Sequence, residues 1–131
     1  MNHINDYFTV PYVEGGRDMS GLDCWGITRF VLHHVYKLPL FTSFGHVRSE
    51  HTSEFTGAYS VLVDQFTQCK PKEGAVACGF VDGNLVHMGV CVDIDGQIAI
   101  FHSTKKHGAS FARIAAFERL FFEVKFYEYA G

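Results

Sequence analysis

The chain has 131 residues, 47% of them apolar, with thirteen Phe and six Tyr, which is the size of one domain with enough side chains for one real core. Its formal net charge is −3 with eight His counted as neutral, and its longest basic run is Lys105-Lys106, so composition excludes a nucleic-acid surface. No apolar run approaches the length that spans a bilayer, and Met-Asn-His-Ile-Asn-Asp-Tyr lacks the basic and apolar regions of a signal peptide, so the expectation is cytoplasmic synthesis and no membrane partner.

In chain order, Tyr7-Phe8-Thr9-Val10-Pro11 predicts a short strand or an extended arm closed by proline and docked on the core. Gly15-Gly16 opens a loop, and Asp23 stands as N-cap to a helix whose apolar positions are Cys24, Ile27, Val31, Val35 and Leu38. Leu38-Pro39-Leu40 ends it. Residues 41–73 are polar and less periodic, but the stripe Phe55, Tyr59, Leu62, Val63 and Phe66 predicts a second helix near 55–68. After the Pro71–Gly74 turn, Ala75–Val81, Leu85–Val92 and Gln97–Ser103 read as an antiparallel meander, and Leu120–Tyr129 alternates as a fourth strand. Helices first and strands afterwards indicate an α+β fold in a single domain spanning 1–131.

Four cysteines, Cys24, Cys69, Cys78 and Cys91, show no paired C-x-x-C spacing, so reduced thiols are expected, three of them small buried hydrophobes. Cys24 differs because a glycine-rich turn delivers it to the first turn of a helix. There the partial positive charge and unpaired N–H groups favour a thiolate and can hold an oxyanion. On the 85–92 strand, period-two alternation puts His87, Gly89 and Cys91 on one face. A four-residue Asp93–Gly96 loop sets His87 directly opposite His102, whereas a two-residue Asp95-Gly96 loop pairs Gly89 with His102 and leaves the two His diagonal. Either register brings the imidazoles within reach of each other, and the chemistry suggested is Cys24 as nucleophile, His87 as base and His102 as orienter. A zinc site from His87, Cys91 and Cys78 or His102 lacks ligand spacing, so no metal and no cofactor is expected.

Tyr12, Gly15-Gly16-Arg17, Gly21-Leu-Asp23-Cys24-Trp25-Gly26, Pro71–Gly74, His87-Met-Gly89 and Phe101-His102-Ser103 together resemble the NlpC/P60 cysteine peptidases, with the phage-tail branch most similar. The resemblance covers roughly residues 11–103. It implies a papain-like fold of N-terminal helices packed on an antiparallel meander, and cleavage of amide bonds in peptidoglycan stem peptides beside D-glutamate and a diamino acid. It also implies substrate-contacting roles for Tyr12 and Asp23, and for Trp25, which stands where many relatives carry Ser. Partners implied are the stem peptide and phage-tail or secretion-machine proteins, with action in the periplasm or wall after delivery by a virion or a secretion machine. The competing expectations are an injected antibacterial effector, acyl transfer or deamidation with the same residues, and a catalytically silent assembly module.

Overall fold

The computed structural model describes residues 2–131. A 3-10 turn over Ile4–Tyr7 precedes a small ribbon of β1 (Arg17–Asp18) and β2 (Gly21–Leu22), which leads directly into α1 (Cys24–Phe30). This helix continues as a π-helical turn over Val31–Val35. Helix α2 (Thr52–Leu62) is followed by β3 (Phe66–Cys69), β4 (Val76–Val81), β5 (Asn84–Ile94), β6 (Gln97–Thr104), β7 (Gly108–Arg113), α3 (Ile114–Glu118) and β8 (Glu123–Tyr129).

Two Asp-Gly pairs fold the strand region. Asp82 and Gly83 (φ 51° and 80°) and Asp95 and Gly96 (φ 53° and 86°) all lie in the left-handed region. That doubled requirement belongs to the two-residue hairpin turn whose twist matches its strands, and Asp-Gly meets it at little cost. The second turn pairs Ile94 with Gln97 and Val90 with Phe101, so the two-residue loop is the one used. All strand pairs of the large sheet are antiparallel, in the order β3-β8-β4-β5-β6-β7.

Alternation along these strands divides the interior in two. Val76, Cys78, Met88, Val90, Val92 and Phe101 face α1 and α2, packing with Leu22, Cys24, Trp25, Ile27, Phe55 and Leu62. Burying each such aliphatic or aromatic side chain contributes roughly 1.5–3 kcal/mol. On the other face Ala77, Cys91, Ile100 and Phe126 pack with Phe117 of α3.

The layout is the α+β arrangement expected, with four local corrections. Tyr7–Pro11 docks on the core as expected but forms no strand: Tyr7 closes the 3-10 turn fully buried, and Phe8 packs edge-on against Phe101 and Phe111 at 5.3 and 5.2 Å. The second helix stops at Leu62, because Phe66–Cys69 leaves it to pair with β8. Gly108–Arg113 forms an additional edge strand on β6. The last strand begins at Glu123, and it inserts between β3 and β4, so the sheet is not a simple meander at that end.

Candidate active site

The loop before α1 is folded tightly onto the helix. A Cβ on Gly26 would stand 2.3 Å from the Gly16 carbonyl, and one on Gly16 would stand 2.2 Å from the Gly21 carbonyl, so only glycine permits this approach. Asp23, 1% exposed, is the node. Its Oδ1 accepts from the Gly26 N–H (2.8 Å) and from Arg17 Nη1 (2.6 Å), and its Oδ2 accepts from the Gly15 N–H (3.0 Å). The carboxylate thus caps the helix and neutralises a buried guanidinium at once.

Arg17 spends its other donors on backbone carbonyls, with Nε to Ser43 (2.8 Å), Nη1 to Gly16 (2.9 Å) and Nη2 to Val47 (2.8 Å). The Trp25 indole N–H donates to Thr42 (3.3 Å) and Arg29 Nε to Phe41 (2.6 Å), while His46 Nδ1 meets the Gly15 carbonyl at 3.0 Å. Residues 41–47 are therefore strapped across the start of α1 by side chains reading their backbone. Trp25 is 2% exposed and, with Phe44, Val47, Phe55, Tyr59 and Met88, lines an apolar slot beneath the strap.

Cys24 begins the helix as expected and is 1% exposed. Burial pushes its thiol up to about 12, the Asp23 charge adds to that, and the Met88 backbone N–H opposes it. The Tyr12 hydroxyl donates to Glu14 Oε1 at 2.7 Å, in the loop that leads to the thiol.

His87 and His102 do meet, with His87 Nε2 and His102 Nδ1 2.8 Å apart. One nitrogen donates and the other accepts, so the accepting ring is unprotonated at that nitrogen. Burial holds His87 at about 3 and His102 at about 4, each helped by a neighbouring imidazole. Phe117 and Phe121 box the His87 ring, with centroids at 5.9 and 6.0 Å. Gly79, directly across from His87 on β4, makes room for the Phe121 ring.

The structure brings the two imidazoles together and does not bring the thiol to them. Cys24 packs on the α1 side of β5 with Met88 and Val90, whereas the imidazoles lie on the α3 side, and no hydrogen bond joins sulfur to either ring. Sequence patterning put both His on one face correctly, but it carried no information on which face α1 would cover. It gave Arg17 and Glu14 no role at the site and did not place Phe121 against His87. For Arg17 a signal existed, a cation six residues ahead of an N-cap aspartate in a loop too short to leave it solvated. Among the described residues no group of three or more His, Cys, Asp or Glu is placed to hold a metal ion.

No protein-family model matches this chain, and neither does any curated protein. Among solved structures, the chain is similar to the NlpC/p60 domain of the peptidoglycan hydrolase SagA, with a TM-score of 0.53 and 16% identity, over 95% of this chain and 89% of that one. The fold is therefore the papain-like α+β fold of that domain, across nearly the whole length of both.

Proposed function

We propose that the chain hydrolyses amide bonds in peptidoglycan stem peptides, with Cys24 as nucleophile, His87 as base and His102 as its orienter. The observation that carries this reading is the 2.8 Å imidazole pair in a fold whose first helix opens at a cysteine. In the reaction His87 takes the thiol proton, and the thiolate adds to the amide carbonyl while N–H groups of the first helical turn meet the oxyanion. The imidazolium then gives its proton to the leaving amine, and water cleaves the resulting thioester to return the thiol. The reading includes a rearrangement that frees the buried sulfur and brings it to the ring. Tyr12, Asp23 and Trp25 are assigned to the substrate groove, and delivery to the periplasm or wall is assigned to a phage or prophage tail tip. An injected effector is the alternative route.

Purified peptidoglycan digested with wild type and with Cys24→Ala, and analysed by mass spectrometry of muropeptides, tests the chemistry. New amino termini are expected from wild type alone, and their release by Cys24→Ala ends the proposal. Finding the chain in purified virions by proteomics tests the delivery.

A second reading, a catalytically silent assembly module, is favoured by the separation of thiol and imidazoles and by the burial of Cys24. Thiol alkylation separates the two. The hydrolase predicts that stem peptide accelerates labelling of Cys24, and the silent module predicts slow labelling that peptide leaves unchanged.

A further inference from the structure

The two edges of the large sheet are finished differently. Strand β3 is four residues long, Pro71 follows it closely, and Phe66 at its start is covered by the Phe41 and Tyr129 rings at 5.2 and 5.8 Å. Strand β7 is six residues long and carries neither proline nor charge before Arg113, its last residue. It pairs on one side only, with β6, from Gly108 opposite Thr104 to Arg113 opposite Ala99. In an antiparallel strand, alternate residues turn their N–H and C=O groups away from the neighbour already paired. Beyond the β6 ladder, residues 108–112 make no hydrogen bond among the described residues. Such a row of unpaired ladder groups is a template for one more strand.

The surroundings define that strand. Ala109 packs with the core on the α1 side and Ala112 with the core on the α3 side, while Phe111 is 39% exposed. Near Arg113, the side chains of Ile98, Ala99, Phe111 and Ala112 line a hollow of about 250 Å³, wide enough for an aliphatic side chain. Charge brackets the edge. Lys106, in the turn before β7, and Arg113 at its end are both exposed, and neither forms an ion pair among the described residues. A second copy laid antiparallel on this edge would bring the Arg113 of each chain to the Lys106 end of the other, setting like charge on like charge. The complement is a strand with a carboxylate at either end and small or aliphatic residues between.

We propose that β7 is the docking edge for an extended, acid-flanked segment of a partner protein. The segment adds to the sheet beyond β7, with its carboxylates on Lys106 and Arg113 and an aliphatic side chain in the hollow beside Phe111. Main-chain bonds supply the affinity and the charged ends the selectivity. None of these residues belongs to the Cys24, His87 and His102 set, so the edge stands whether or not the chain hydrolyses an amide.

The test titrates wild-type protein with the peptide acetyl-Asp-Val-Thr-Val-Thr-Val-Asp-amide and follows it by NMR. One control carries Lys in place of both Asp, and another is N-methylated at every Val and Thr and so cannot donate from either edge. In the free protein, alternate amides of residues 108–112 should exchange rapidly with deuterium. The acidic peptide should slow them and shift the 108–113 resonances saturably. The Lys peptide should bind about ten-fold more weakly, and N-methylation should abolish binding. The double change Lys106→Glu and Arg113→Glu, at two exposed positions, should invert the order so that the Lys peptide binds better. Full protection of the β7 amides in the free protein, shifts that map elsewhere, no saturable shift with any peptide at millimolar concentration, equal binding of the Asp and Lys peptides, or a dimer joined through β7 overturns the proposal.

Discussion

At the scale of single residues, burial rather than identity decides what the cysteines do. Cys24, Cys78 and Cys91 are buried, Cys69 is half-buried, and all four are free. Burial pushes every one of the four upward, Cys24 and Cys91 to about 12. In the resting protein, iodoacetamide at pH 8 should therefore label Cys69 first, with Cys24 slower by roughly ten-fold or more, as read by peptide mapping. Cys24 labelling ahead of Cys69 without peptide would mean that the thiol is already exposed and activated.

The imidazole pair carries a pH dependence of definite sign. Free imidazole in the unfolded chain takes its proton near 6.5, whereas the folded rings resist until about 3 and about 4 because burial disfavours the charged form. Between those values the unfolded state binds more protons than the native one, so stability rises with pH there. It should be fully present above about 6.5 and fall as the pH drops toward 4, by on the order of a few kcal/mol for the two rings together. Chemical denaturation from pH 7.5 to 4 checks this. The double change His87→Asn and His102→Asn should flatten the curve, and an unchanged slope would show that other groups set it.

Among elements, the join between loop and helix concentrates the most polar interactions. Asp23 and Arg17 are 2% and 9% exposed in their side chains. Asp23→Asn keeps a cap for the Gly26 N–H but leaves a buried guanidinium without its counter-charge, which should cost about 3–5 kcal/mol in urea unfolding. A loss below 1 kcal/mol would show that the strap carbonyls alone satisfy Arg17. On the other face, a Cβ at Gly79 would stand 2.5 Å from the Phe121 ring, so Gly79→Ala should displace that ring and cost roughly 1–3 kcal/mol. Loss of the upfield ring-current shift on His87 in NMR would report the displacement directly.

The same elements show where sequence reasoning holds. Helix α1, its Asp23 cap and the central strands were legible because capping chemistry, Asp-Gly turns and alternation agreed. Phe66 fits a helical stripe with Leu62 and equally fits a strand, and the pairing of Phe66 with Tyr129, far along the chain, decides it. Strand β7, Gly-Ala-Ser-Phe-Ala-Arg, is a half-exposed edge with small residues, so its alternation is faint. The imidazole contact followed from local register. The position of Cys24 relative to it depends on which face of the sheet α1 covers, a tertiary choice that no local pattern encodes.

For the molecule as a whole, the late insertion of β8 is the decisive step. Residues 123–129 pair on one side with β3 and on the other with β4, so the last segment of the chain completes the middle of the sheet. Without it β3 has no partner, and Phe126 and Tyr127 leave the two core layers that they join from opposite faces. The stabilisation lost includes two strand ladders and two aromatic side chains, which is of the same order as the roughly 5–15 kcal/mol of net stability typical of a domain. A chain ending at Phe122 should therefore show no cooperative thermal transition and no near-ultraviolet circular dichroism, although its helices can still form in part. A chain ending at Tyr129 loses little beyond the bond from the Ala130 N–H to the Gln65 carbonyl (2.9 Å), and its Tm should stay within a few degrees of the full chain. Cooperative melting of the shorter chain would mean that β4 to β7 with α1 form a self-sufficient unit and that β8 merely covers it. The non-local closure also implies folding on the millisecond-to-second scale of sheet-dominated domains, measurable by stopped-flow fluorescence of Trp25, the single tryptophan.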